Sequence, residues 1–202
     1  METVKAHVKV DKHIYVHNDI DQGAFYLKER IKERLSKGDR DGIGLEMMAC
    51  LVLLAFAVEA KFNFLGHKLI KDWNERDKAL NKVKKVLKHL GVNDDLKDPP
   101  YKTIEDLKKF RDALAHGKPQ EIKYEGDVAA TEQELRQQGR LSAEYEKFLK
   151  EELVYQAYDN VETIWKDLLT KSGLNIMDTI THGGMEYTII GEVDEDTAGS
   201  GS

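Results

Sequence analysis

The chain has 202 residues, 41% hydrophobic and 34% charged, which suffices for one substantial core and favours a single domain with short appendages over two small ones. Its net charge of −6 argues against a nonspecific nucleic-acid binder, because backbone binding rests on Lys and Arg neutralising phosphates, so any RNA contact must be local. A single cysteine, Cys50, rules out an internal disulfide and a cysteine-built zinc site.

Taken from the start, Val8, Val10, Ile14 and Val16 alternate with polar residues, the period of a short strand or hairpin. No charged-then-apolar leader pattern occurs there, so the expected location is the cytoplasm. A first helix is predicted over residues 22–37, with Ala24, Leu27, Ile31 and Leu35 on one face and Gly38 at its end. A second, over residues 45–64, is apolar nearly all round and reads as the central element, ended or bent at Gly66. Its longest apolar run, residues 45–58, contains Glu46 and falls short of the ~20 residues a membrane span needs, so no membrane association is expected. Cys50 lies inside this run as a small core residue.

A third helix, residues 74–90, carries Leu80, Val83, Val86, Leu87 and Leu90 on one side and ends at Gly91. Lys78, Lys82, Lys84, Lys85 and Lys88 give it the chain's main concentration of positive charge, either a solvated face or an RNA contact. After a polar loop with Pro99 and Pro100, Thr103 followed by Asp106 has the form of a helix start. Leu107, Phe110 and Leu114 supply that helix's apolar stripe, and Gly117 and Pro119 end it just after His116. A polar connection over residues 121–139, with some helix from Ala129, precedes a long amphipathic helix over residues 142–171. Tyr155, Tyr158 and Trp165 on it suit a core or dimer face better than a base-stacking platform. Tyr187, Ile189 and Val193 then alternate as a final strand able to pair with the first.

The fold expected is mainly α: an up-and-down helical bundle over residues 21–172, with a small β element from the extended segments 1–20 and 173–193, and a disordered tail at 194–202. No Gly-rich phosphate loop is present, and His7, His13 and His17 lack the acidic support of a metal site, so neither cofactor nor metal is assigned.

The stretch most informative for chemistry is Arg111-Asp-Ala-Leu-Ala-His116, which puts a fixed cation and a titratable imidazole at the end of one helix. Such a pair suffices for metal-free phosphodiester cleavage, the cation stabilising transition-state charge and the imidazole moving a proton near neutral pH. The spacing alone is weak: seven Arg and seven His in 202 residues produce Arg-x4-His by accident about 0.24 times. Residues five apart on a helix are also rotated by about 140°, so the two groups do not share a stripe. A loosened last turn at Gly117, or a second protomer in a symmetric dimer, would bring them together. Asp112, four residues before His116, is spaced to orient the imidazole. The plain alternative is a surface ion pair for Arg111 and a helix-end role for His116.

In order and spacing, Arg111, Asp112 and His116 with the following Gly117-Lys118-Pro119 resemble the signature of the HEPN superfamily (higher eukaryotes and prokaryotes nucleotide-binding domains). The resemblance implies an all-α bundle acting as a dimeric, metal-independent endoribonuclease, with RNA as substrate and an antitoxin, antiphage or abortive-infection complex as setting. It makes Arg111 the phosphate-holding group, His116 the general acid or base at the ribose 2′-hydroxyl or leaving oxygen, and Asp112 the orienter. Glu59 and Asn63 resemble polar positions that some members place near the same cleft. Lys118 stands where nucleotidyltransferase-controlled members carry a modifiable Tyr, which counts against that route of control. A noncatalytic HEPN-like module binding RNA, a nucleotide or a protein, and a purely structural bundle in a larger complex, are the competing readings.

Overall fold

The computed structural model of the chain describes residues 3–123, 125–132, 134–135 and 143–192. It is mainly helical, with a small two-stranded antiparallel sheet. The order is β1 (Val4–His13), α1 (Val16–Ser36), α2 (Ile43–Leu69), α3 (Ala79–His89), α4 (Lys102–Ala115), a 3-10 turn (Glu144–Phe148), α5 (Glu151–Ser172), a second 3-10 turn (Ile176–Thr179) and β2 (His182–Glu192).

Helix α2 is the hub and touches α1, α3, α4 and α5. Its Leu51, Leu54 and Leu65 meet Ile31 of α1, Phe110 of α4 and Leu168 of α5 in one continuous core. By length and hydropathy alone α2 is able to cross a membrane, contrary to the count from residues 45–58, because the apolar character resumes after Glu59 and Lys61. Here it is instead the bundle's centre, and both charges are paired across neighbouring helices.

Several boundaries differ from the sequence reading. Helix α1 starts at Val16, so residues 16–20 are helical and not part of an extended segment. Ile14 and Val16 continue the alternation of β1, but the backbone N–H of Tyr15 donates to Thr181 Oγ1 at 3.0 Å and Asn18 Nδ2 to the Thr179 carbonyl at 2.6 Å. Those tertiary bonds end the strand. Gly66 does not end α2, which runs on to Leu69: a Cβ there would lie 2.3 Å from the Trp73 ring, so the glycine serves close packing. Residues 74–78 form turns closed by the Asn74 and Asp77 side chains, and α3 begins only at Ala79. Gly91 follows it at φ 67, as its helix-end assignment requires.

Thr103 does not cap α4; it is buried one residue inside the helix, where Asn160 Nδ2 of α5 donates to its hydroxyl at 2.7 Å. The helix predicted over residues 142–171 is two pieces. Lys150 is extended (φ −122, ψ 140), and the preceding 3-10 turn places Phe148 edge-on against Phe110, 5.6 Å between ring centres. Ser142, Val193 and residues 194–202 lie outside the described residues, as do residues 133 and 136–139 of the stretch after Ala129, in which Glu132, Glu134 and Leu135 are helical.

Candidate functional site

Helix α4 carries the motif because Ile104, Leu107 and Phe110 are buried against the core, which turns Arg111 toward α2. Its guanidinium is held from two sides: Nη1 donates to Glu59 Oε2 at 2.8 Å, while Nη2 and Nε donate to Asp112 Oδ1 at 2.9 and 3.2 Å. Lys108, one turn earlier, donates to the other oxygen of Asp112. On the inner side, Lys82 of α3 donates to Glu59 Oε1 at 2.7 Å and to the Glu75 carbonyl at 3.0 Å. The result is an alternating chain, Lys82–Glu59–Arg111–Asp112–Lys108, with three cations against two carboxylates.

This chain runs from inside to outside. Lys82 is 2% exposed, whereas the Arg111 side chain is 22% and that of Lys108 33% exposed. Burial would raise the Glu59 carboxyl, but the bonds from Lys82 and Arg111 outweigh it and hold the group below its ordinary value. Asp112 behaves likewise, burial being overcome by Lys108 and Arg111. For Arg111, burial works against the charge, and the pairing with Asp112 and Glu59 more than restores it. Glu59, Asp112 and Arg111 are therefore held in their charged forms, and the chain, with three basic side chains against two carboxylates, turns Arg111 and Lys108 toward solvent.

His116 is the residue after the last turn of α4, its backbone N–H donating to the Asp112 carbonyl at 2.9 Å. Its imidazole is exposed and makes no hydrogen bond or ion pair among the described residues. The expected Asp112–His116 bond is absent there, because Lys108 and Arg111 occupy the carboxylate. Within one chain, then, the structure brings together Arg111, Asp112 and Glu59 and leaves His116 apart, in keeping with the rotation of five helical residues.

Asn63, one turn beyond Glu59 on α2, does not join the ion-pair chain; its Oδ1 is buried without a partner among the described residues. Lys84, Lys85 and Lys88 are exposed on the outer face of α3, and Lys118 is exposed in the loop after α4. Lys108 was not singled out from the sequence, and Lys82, counted there with the lysines of a solvated or RNA-contacting face, is buried instead. Lys82 had a signal: it falls on the apolar stripe with Ala79, Val83 and Val86, where a cation must find a buried partner. Lys108 stands four before Asp112, the spacing of a helical ion pair.

A recess of about 20 Å³ beside Glu59, Lys82, Lys108 and Arg111 has room for a water and not for a nucleotide. A second cleft, about 290 Å³ between Leu51, Thr103, Leu107, Phe110, Phe148 and Asn160, includes neither Arg111 nor His116. Any phosphate meeting Arg111 thus does so at the surface. Among the described residues no three His, Cys, Asp or Glu side chains converge as metal ligands. No family model, no curated protein and no solved structure matches the chain, so the site is read from its own geometry.

Proposed function

We propose that the protein is a metal-independent endoribonuclease of HEPN type, working as a homodimer in which the motif helices of two protomers share one cleft. The observation that carries this reading is the pairing of a cation-rich surface cluster at Arg111 with an unengaged imidazole, His116, at the end of the same helix. A phosphodiester approaching the cluster meets a guanidinium whose charge is secured and whose carboxylate partners are themselves shared with lysines. Arg111 exchanges part of its contact with Asp112 for a phosphate oxygen, and Lys108 retains Asp112. His116 of the facing protomer takes the proton of the 2′-hydroxyl or delivers one to the leaving oxygen. The 2′-oxygen attacks the adjacent phosphorus, the bond to the 5′-oxygen breaks, and a 2′,3′-cyclic phosphate and a 5′-hydroxyl result. DNA, lacking the nucleophile, survives. Lys84, Lys85, Lys88 and Lys118 supply secondary, salt-sensitive contacts to the RNA backbone. The setting that fits such an enzyme is a toxin or antiphage system in the cytoplasm, held in check by a partner.

The test is cleavage of total cellular RNA in EDTA by wild type, His116→Ala and Arg111→Ala. Cleavage by wild type alone, leaving cyclic phosphate ends and dropping about a thousandfold in His116→Ala, is expected. Activity that survives both changes overturns the reading. A second reading, a noncatalytic HEPN-like module that binds RNA, a nucleotide or a protein, is favoured by one observation: Arg111 is already engaged by two carboxylates and His116 does not reach it within the chain. Saturable RNA binding without turnover in any of the three proteins would select it.

A further inference from the structure

The two strands form a ribbon whose faces differ completely. The antiparallel register pairs Val8 with Tyr187, Val10 with Met185 and Ala6 with Ile189 on one face, and His7 with Thr188 and Lys9 with Glu186 on the other. Along β1, Val4 continues the apolar face. Beyond their pairing with each other, the strands make few contacts with the helices, and the apolar side chains are left open: Val8 at 50%, Val10 61%, Met185 63%, Tyr187 64% and Ile189 58% exposed. A two-stranded ribbon alone is marginal in water; it gains stability when its apolar face is covered.

We infer that this face is a self-association surface, covered by the same face of a second copy of the chain. At roughly 100 Å² for each of six open side chains, these five and Val4 at 46% exposed, one ribbon presents on the order of 600 Å², and two stacked ribbons cover at most about 1,200 Å², where specific interfaces begin. The face bears no charge between Val4 and Val10 on β1 or between Met185 and Ile189 on β2, Lys12 standing at one end of it, so nothing on its apolar centre selects an acidic or basic partner. A two-fold stack of identical apolar ribbons about 10 Å apart needs no such selection. Edge addition of a foreign strand is discouraged by Lys5, Lys9 and Lys12 along β1, the usual means of blunting an open edge. Face-to-face packing of two copies satisfies the ribbon without using its edges. This inference stands apart from the nuclease reading: it concerns residues 4–13 and 182–192 and holds whether or not RNA is cleaved.

Sedimentation velocity on the full chain, from about 1 to about 100 μM, tests it. Wild type is expected to self-associate reversibly through this face, as a step separate from any pairing of the motif helices, and Val8→Lys with Tyr187→Lys to weaken that step about 100-fold while helical circular dichroism and melting are retained. Val10→Thr with Ile189→Thr, which keeps strand propensity, should weaken it about tenfold. Lys9→Ala with Thr188→Ala, on the polar face, should leave it within about threefold of wild type. A wild-type monomer throughout the range overturns the inference, and so does a dimer that neither apolar-face pair weakens more than the polar-face pair does.

Discussion

Two of the charges on helix α2, Glu59 and Lys61, point in nearly opposite directions, and what they meet differs. Lys61, 3% exposed, donates to Asp21 of α1 at 2.7 Å and to Glu162 of α5 at 3.2 Å, with its ammonium 5.4 Å from the centre of the Trp165 ring. Glu59, two residues earlier and so about 200° away around the helix, joins Lys82 to Arg111. The first cluster has one cation against two carboxylates and its cation inside. The second has three cations against two carboxylates and its surplus outside. Buried charge is therefore no mark of function by itself. The sign of the surplus and whether it reaches solvent separate a cross-brace between helices from a place where an anion can bind.

The largest stability effect expected is on the Lys61 side. Lys61→Met leaves Asp21 and Glu162 facing an apolar wall and should cost about 3–4 kcal/mol in urea denaturation. Adding Asp21→Asn and Glu162→Gln should recover much of the loss. A single-variant cost below about 1 kcal/mol would erase the distinction between the two clusters. Next comes His17, which shares that side. It is 2% exposed and packed between Phe64 and Trp165; burial first, then the nearby Lys61 charge, lower its pKa to about 4 against an opposing pull from Asp19.

Because the folded form binds fewer protons than the unfolded one between pH 6.5 and about 4, stability should fall on acidification through that window, by at most about 3 kcal/mol. His17→Gln should flatten the slope between those limits. Glu59 and Asp112, with lowered values, add their loss only as the pH drops below the ordinary carboxylate range. The smallest effect belongs to Arg111→Ala. Glu59 keeps Lys82 and Asp112 keeps Lys108, so thermal unfolding should report less than about 1 kcal/mol while RNA cleavage is lost. A larger stability loss would make Arg111 a brace like Lys61.

The helices were legible because their apolar spacing is local: α2, α3 and α4 each lie close to where the 3.6-residue period puts them. What escaped was set across the fold. The start of α1 depends on bonds from Tyr15 and Asn18 to residues more than 160 positions later, and Gly66 reads as a breaker until Trp73 is seen against it. Thr103 has the sequence of a cap and the surroundings of a core residue, a distinction only Asn160 makes. At the candidate site the Arg111-to-His116 motif was visible from residue type and spacing, and Glu59 only through the family resemblance. The role of Asp112 was not, since its local neighbour His116 loses the carboxylate to Lys108 and Arg111.

The strand pairing of Ala6 with Ile189 joins the two most distant described parts of the chain. Neighbouring helices such as α1 and α2 can meet as soon as both exist, but β1 has no partner until the helices between the strands have been made and α1 and α5 have brought Tyr15 beside Thr181. Of the described elements the ribbon is thus the last able to close during synthesis and, lying outside the core, the first free to open. Hydrogen exchange at β1 amides would consequently track completion of the bundle, with the newly made strand waiting unpaired until β2 arrives.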